Sequence, residues 1–329
     1  MQPVGQRAWG DDRALSHSQQ AAAPILPFRP ETRPGIPVTV STAHRPERLD
    51  FDALIDRHDA ILFDAYGVLV NAEGALPGAA DAVELLTRRG QPFLVVTNDA
   101  SRSPERSAQR YQRLGLGIRS EQVLSSGMLI TPAIEALHLD EPRVVVIGTD
   151  DSADYARAAG GLVIEPSADE LADAVVLADE GGFDTLGQLD EVLSMILAGH
   201  AQGQTPALFL ANPDLIYPSG RGPHGLTFGF TAGSLAHMLE RALTLILGDD
   251  APRFDVLGKP AARHFETALT MVGTRNAVML GDTLHTDVAG ARGVGIASGI
   301  VLTGITTTAQ AETAGAHAPD YLLDSLVRP

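Results

Sequence analysis

The chain has 329 residues, 44% of them apolar, enough to bury one large core or two moderate ones. Its formal net charge of −17 argues against nucleic acid or an anionic membrane as the main partner, while leaving room for a local cationic site. There are no cysteines, which excludes disulfides, thiolate metal sites and cysteine nucleophiles, and fits a reducing compartment.

Residues 1–48 are rich in Pro, Ala, Gln and Arg, lack periodicity and carry six arginines against four acids. They are expected to form a disordered or loosely packed extension, with a docking arm as the sharper alternative. No window of about 18 apolar residues occurs, and the start lacks a basic stretch followed by an apolar one, so a soluble, cytoplasmic protein is expected. From residue 50 onward short apolar runs alternate with segments of helical period. Strands are expected at 60–63, 93–96, 144–147, 174–178, 207–210, 277–280 and 300–302. Helices are expected at 79–89, closed by Gly90, and at 104–114, with Ser103 as N-cap and Pro104 in the first turn. This alternation predicts an α/β fold, a doubly wound parallel sheet with helices on both faces. The stretch 138–254 has strands of its own and reads as a second α/β module inserted into the first, which leaves 49–137 plus 255–329 as the core.

Ligands of open parallel sheets lie beyond the carboxyl ends of the strands. There the chain places Asp64, then Thr97-Asn98, then Gly281-Asp282. Asp282 and Asp287, five residues apart across a turn, suit one hard divalent cation, held directly or through water. With Asp64 they put three acids in one crevice, and a cation would relieve their repulsion. Lys259, in Gly258-Lys259-Pro260, is the only lysine among 24 basic side chains. A compact ammonium retained in a chain that otherwise uses planar guanidiniums points to a task that needs a point charge, against the plainer reading of a surface turn. Tyr66 stands two residues after Asp64, where a second carboxylate would be most useful as a proton donor.

Asp64 with Gly67-Val68-Leu69, Thr97-Asn98, Gly258-Lys259-Pro260 and Gly281-Asp282 with Asp287 resemble, in order and spacing, the four motifs of the haloacid dehalogenase superfamily. Over residues 50–325 the chain is similar to the class IIA branch, the NagD-like and p-nitrophenylphosphatase-like enzymes, in which a C2-type α/β cap lies between the second and third motifs. The segments LFLANPD at 208–214 and GLTFGFTAGSLAHMLE at 225–240 share that likeness. The resemblance implies a Mg²⁺-dependent phosphatase acting on a small phosphorylated metabolite. Asp64 would attack phosphorus to form an aspartyl-phosphate. Thr97 and Asn98 would hold phosphate oxygens, and Lys259 would neutralise both nucleophile and transferring group. Mg²⁺ would sit on Asp64, the Tyr66 main-chain carbonyl and Asp282, with Asp287 behind or through water. The resemblance also allows a homodimer formed through the cap.

Tyr66 departs from the family pattern, which has Asp there to protonate the leaving group. A phenol is a poor base near neutral pH, and losing general acid–base help costs roughly 10²- to 10⁴-fold. Three readings follow: a phosphohydrolase for good leaving groups or with a proton supplied elsewhere, a protein that binds a phosphorylated ligand without turnover, and a 2-haloacid dehalogenase-type enzyme using Asp64 on carbon. The retained pair Asp282 and Asp287 and the α/β insertion favour the first.

Lesser candidates are His285, set against an exposed loop histidine, and Arg221, which could meet a second anionic group or be a solvated loop residue. Asp150, Asp151 and Asp154 read first as helix N-cap chemistry. Asn212 and Asp214 could brace the crevice from the cap side, while His200, His237 and His264 read as surface or packing residues.

Overall fold

In the computed structural model, which describes residues 45–182, 186–223 and 225–328, each side chain of the strand Ala60–Phe63 is buried. A strand that is apolar on both faces belongs in the interior of a parallel sheet covered by helices on each side, and that is where it lies. In chain order the first half of this sheet supplies β1 (Glu47–Arg48), β2 (Ala60–Phe63), β3 (Phe93–Thr97) and β4 (Val123–Ser125). Helices α1 (Phe51–Ile55), α2 (Ala79–Arg89), α3 (Pro104–Arg113) and α4 (Ile130–Glu135) accompany them. Alternate residues of β2 divide between two cores, as a period of two requires. Ile61 and Phe63 join Phe51, Leu86 and Tyr111 on one face, while Ala60 and Leu62 join Phe265, Leu269 and Met279 on the other.

The chain then builds a second sheet from β5 (Arg143–Ile147), β6 (Leu162–Ile164), β7 (Ala174–Leu177) and β8 (Ala207–Leu210), with α5 (Asp150–Ala158) and α6 (Leu186–Ala201). An antiparallel hairpin, β9 (Ile216–Gly222) and β10 (Gly225–Phe230), leads into α7 (Ala232–Leu247) and the two-residue strand β11 (Asp255–Val256). The order in this sheet is β11-β8-β7-β5-β6, all parallel. After α8 (Ala262–Val272) the chain returns to the first sheet with β12 (Ala277–Gly281), α9 (Ala289–Gly293), β13 (Ala297–Val301) and β14 (Tyr321–Leu323). Its order is β1-β14-β13-β12-β2-β3-β4, again parallel throughout.

The α/β class and both helix ends agree with expectation. Gly90 closes α2 with a left-handed φ of 64°, and its N–H reaches the carbonyls of Leu86 and Thr87. Ser103 caps α3, accepting from the Arg106 N–H, with Pro104 in the first turn. β13 starts three residues earlier than its apolar run, because Ser298 and Gly299 pair in register with Met279 and Leu280. A Cβ on Gly299 would meet Leu280 at 2.7 Å, so the small residue there belongs to the packing. Residues 1–44 of the expected extension lie outside the described residues; Glu47 and Arg48 pair with β14. Among the described residues no helix is long and apolar enough to cross a membrane.

Candidate active site

β2 and β12 are neighbours, and their carboxyl ends deliver Asp64 and Asp282 side by side. The Asp64 N–H bonds the Leu280 carbonyl at 2.8 Å, which extends the ladder one residue past β2 before the chain turns. That turn is closed by Leu69 and Val70 N–H groups on the Ala65 carbonyl and needs Gly67 at φ 81°. Beyond Asp282 one wide π-helical turn, Leu284–Val288, swings Asp287 back over the strand end. Its carboxylate packs against Gly281 so closely that a Cβ there would lie 2.2 Å from the Asp287 Cγ.

Lys259 joins these segments. Its Nζ donates to Asp64 Oδ1 and to Asp287 Oδ1, at 2.7 Å each. Exposure is 2% for the lysine side chain, 1% for Asp287 and 14% for Asp64, so of the three only Asp64 opens toward solvent. Burial works against the ammonium, but Asp287 and Asp64 outweigh it and hold Lys259 above the ordinary lysine range. Burial pushes Asp64 well above the usual carboxylate range, with Asp287 and Asp282 adding to the shift and Lys259 opposing it. Asp282 is pushed up to about 6, by burial first and then by Asp287.

Remaining contacts fix how each acid can be used. Asp64 Oδ1 also accepts the Ala65 N–H at 2.8 Å. Asp287 Oδ2 accepts the N–H groups of Asp282 and Thr283, so both of its oxygens are engaged by protein donors. Asp282 receives the Ile305 N–H on Oδ2 and the Thr283 hydroxyl on Oδ1. Two glycines cradle it: a Cβ on Gly67 would lie 2.2 Å from Asp282 Oδ2, and one on Gly304 would lie 2.1 Å away. One carboxylate oxygen each from Asp64, Asp282 and Asp287 falls within 4.8 Å of the others. Three carboxylates against one ammonium leave two negative charges in a buried oxygen-rich site, and that donor set fits a hard divalent cation.

Thr97 and Asn98, both buried, sit at the end of β3 as expected. Asn98, however, clamps protein rather than opening its side chain to the crevice. Its Oδ1 accepts the Lys259 N–H at 2.7 Å, and its Nδ2 donates to the Lys259 carbonyl at 3.2 Å and to Asp214 Oδ1 at 3.1 Å. Asp214 thereby touches the crevice from the second sheet, and Asn212 turns it there by accepting the Asp214 N–H. Tyr66 is half-buried against the first core, and the Arg110 guanidinium lies 5.8 Å above its ring centre. Its hydroxyl has no hydrogen-bond partner among the described residues, so it does not bond to Asp64.

The lesser candidates separate. Thr149, not an aspartate, caps α5; Asp150 and Asp151 occupy its first turn, where the helix dipole favours acids. Asp151 binds outward to the Ser103 N–H and Arg106, and Asp154 pairs with Arg157. His285 is exposed, and His264 is buried and pushed down to about 3, by burial first and then by Lys259. His200 bonds Thr205, and His237 bonds the Gly233 carbonyl of its own helix. The side chain of Arg221 lies outside the described residues. Sequence reasoning missed Gly304, Ile305 and the Asn98–Lys259 clamp. Only the clamp had a signal, in the buried polar pair Thr97-Asn98 at a strand end.

Residues 61–161 match the family described as haloacid dehalogenase-like hydrolase, and residues 256–328 match a second described as HAD-hydrolase-like. Chronophin of Bos taurus is 32% identical over 306 residues, which span 86% of this chain and 96% of chronophin. This chain is a class IIA haloacid dehalogenase-like hydrolase. Among solved haloacid dehalogenase-like structures, a "possible sugar phosphatase" from Cytophaga hutchinsonii is 32% identical with a TM-score of 0.73, covering 86% of this chain and 99% of its own. The glycerol phosphate phosphatase of Mycobacterium tuberculosis, solved in complex with magnesium, is 27% identical with a TM-score of 0.68, covering 82% and 75%. The two family matches carry the two halves of the site: Asp64, Thr97 and Asn98 in one, Lys259, Asp282 and Asp287 in the other.

Proposed function

We propose that this chain, a phosphoric monoester hydrolase, cleaves a small phosphorylated metabolite in the cytoplasm through an aspartyl-phosphate on Asp64. The observation that carries the reading is the single buried Lys259 ammonium bridging Asp64 and Asp287 at 2.7 Å each beside Asp282. Relatives whose names state a substrate act on phosphate esters, among them the D-glycerol 3-phosphate phosphatase of Mycobacterium tuberculosis and the sugar-phosphatase AraL of Bacillus subtilis.

Lys259 and the Ala65 N–H occupy Asp64 Oδ1, which leaves Oδ2 as the attacking oxygen. Attack forms an Oδ2–P bond and breaks the P–O bond to the leaving group, which departs as an oxyanion and takes a proton from water. A second water breaks the Asp64–phosphate linkage, which releases inorganic phosphate and restores the carboxylate. Lys259 offsets the charge on the transferring group, and the Thr97 hydroxyl is the side-chain donor we assign to its oxygens. Asn98 contributes by fixing the Lys259 main chain. Asp64, the Tyr66 main-chain carbonyl and Asp282, with Asp287 behind them, would hold Mg²⁺, whose charge when bound offsets that of the carboxylates and the phosphate.

With a phenol at position 66 no side chain of the first turn serves as proton donor, so substrates with good leaving groups are favoured. We further propose that 49–137 plus 255–329 form the catalytic core and that 138–254 act as a C2-type cap, through which Asp214 reaches Asn98. The test is phosphate release from aryl and alkyl phosphates with and without Mg²⁺, comparing wild type, Asp64→Asn and Tyr66→Asp. Metal-dependent release from aryl esters, lost in Asp64→Asn and extended to alkyl esters by Tyr66→Asp, is the expected result. Release that persists in Asp64→Asn would overturn the assignment.

A further inference from the structure

Arg106, Arg110 and Arg113 lie on one face of α3, with Arg102 just before its start. Together with Thr149 and Asp179 they line a cleft of about 740 Å³, within the roughly 300–1,000 Å³ of small-molecule sites. Four guanidiniums against one lining carboxylate reverse the sign of a chain whose net charge is −17. Two are already matched: Arg102 binds Asp99 at 2.8 Å, and Arg106 binds Asp151 at 3.0 Å. Arg110 and Arg113 have no carboxylate partner among the described residues. Arg110 rests on the Tyr66 ring, and Arg113 donates to the Gln109 carbonyl.

Like charges three and four residues apart cost a helix a few tenths of a kcal/mol per pair, and α3 packs through Ser107, Ala108 and Tyr111, which asks for no arginine opposite. The helix dipole favours Arg110 and Arg113 in the last turn of α3, so it is the cleft and the Tyr66 ring, not the charge alone, that point to an anion. A guanidinium fork matches carboxylate or phosphate bidentately. Arg110 also connects the cleft to the chemistry, since the ring beneath it belongs to the residue two places after Asp64 on the same turn.

We propose that the leaving group of the substrate carries a second anionic group, a carboxylate or a further phosphate, received in this cleft by Arg110 with Arg113. Tyr66 is then a positioning residue: its ring fixes the Arg110 guanidinium. The inference rests on the phosphatase reading, and the experiment separates the two.

4-Carboxyphenyl phosphate and 4-carbamoylphenyl phosphate are alike in size and differ in charge. Wild type is expected to prefer the carboxylate about 10- to 100-fold in kcat/KM, mostly through KM, the scale of a charge-assisted pair. Arg110→Gln combined with Arg113→Gln should bring the ratio close to one, Arg110→Lys should keep part of it, and the distant surface variant Arg88→Gln should keep all of it. Equal rates in wild type, or a preference that survives the double variant, overturn this inference and leave the phosphatase reading standing. Binding of both esters to Asp64→Asn is measured by calorimetry in parallel. Should neither ester release phosphate, the phosphatase reading falls; a tighter carboxylate ester in that titration then upholds the anion site, and equal binding overturns it as well.

Discussion

Both parallel sheets set acids beyond the carboxyl ends of their strands, yet the two edges are built differently. At the first, Asp64, Asp282 and Asp287 converge on each other and on one ammonium, and their charge is left uneven. At the second, three acids have partners of their own, while Glu180 Oε2 is buried without one among the described residues. Asp151 takes the Ser103 N–H and Arg106, Asp179 takes the Gly181 N–H at 2.7 Å, and Asp214 takes Asn98. A carboxylate after a parallel strand is thus common to both. What sets the first edge apart is that three carboxylates from separate segments meet around one buried ammonium, which is what a site for a cation and an anionic substrate requires.

Removing members of the converging set should have effects with no counterpart at the other edge. Asp64→Asn is expected to lower phosphate release by at least about 10⁴-fold with little loss of stability, read by steady-state assay and thermal melting. Lys259→Met leaves the carboxylates without their ammonium and should cost about 3–5 kcal/mol in urea unfolding at pH 7 as well as activity. Lys259→Arg should not restore activity, because both partners lie 2.7 Å from one nitrogen and a planar fork cannot reproduce that point. A Lys259→Met protein as stable as wild type would mean that the carboxylates settle their charge without the lysine.

The next effect in size belongs to a residue with no chemistry of its own. Gly304→Ala puts a Cβ 2.1 Å from Asp282 Oδ2, so the carboxylate or the 303–305 loop must move. A displacement on the order of 1 Å at such a site costs about 10²-fold in kcat. The fold itself should persist, so near-native melting with reduced turnover is the expected pair of results. Collapse of the fold, or unchanged turnover, would count against the cradle.

The central strands of both sheets and the converging acids were legible in the chain because apolar runs and strand-end carboxylates are local signals, while the short strands β1, β4, β6, β11 and β14 were not. The lone Lys259 was legible because composition isolated it. Gly304, Ile305 and the Asn98 clamp were not, since their significance comes from segments about 20 to 160 residues away meeting in space. The hairpin Ile216–Phe230 escaped for another reason. Four glycines and two prolines suppress its strand signal, and its pairing carries a bulge between Thr227 and Phe228. The arginine face of α3 was hidden in plain sight: arginine is this chain's ordinary surface cation, and only the cleft and the Tyr66 ring single out Arg110.

The smallest expected effect tests the second edge and runs opposite in sign to the first. Asp179 and the adjacent Glu180 are pushed up to about 6 and about 7, Asp179 by burial against the Gly181 N–H, and Glu180 by burial and then by Asp179. Unfolded, both lose their protons near pH 4. Between about pH 4 and pH 7 the folded chain therefore binds more protons than the unfolded one, so their contribution favours folding at low pH and is lost as pH rises. Asp179→Asn keeps an Oδ1 to accept the Gly181 N–H, and Glu180→Gln keeps the shape, while neither must shed a proton. The double variant should match wild type near pH 4.5 and exceed it at pH 8 by on the order of 1–3 kcal/mol, read as paired melting curves. A gain of equal size at both pH values would point to packing instead of charge. A loss at pH 8 would mean that these acids are held as carboxylates by a cation, and that the second edge also gathers charge for use.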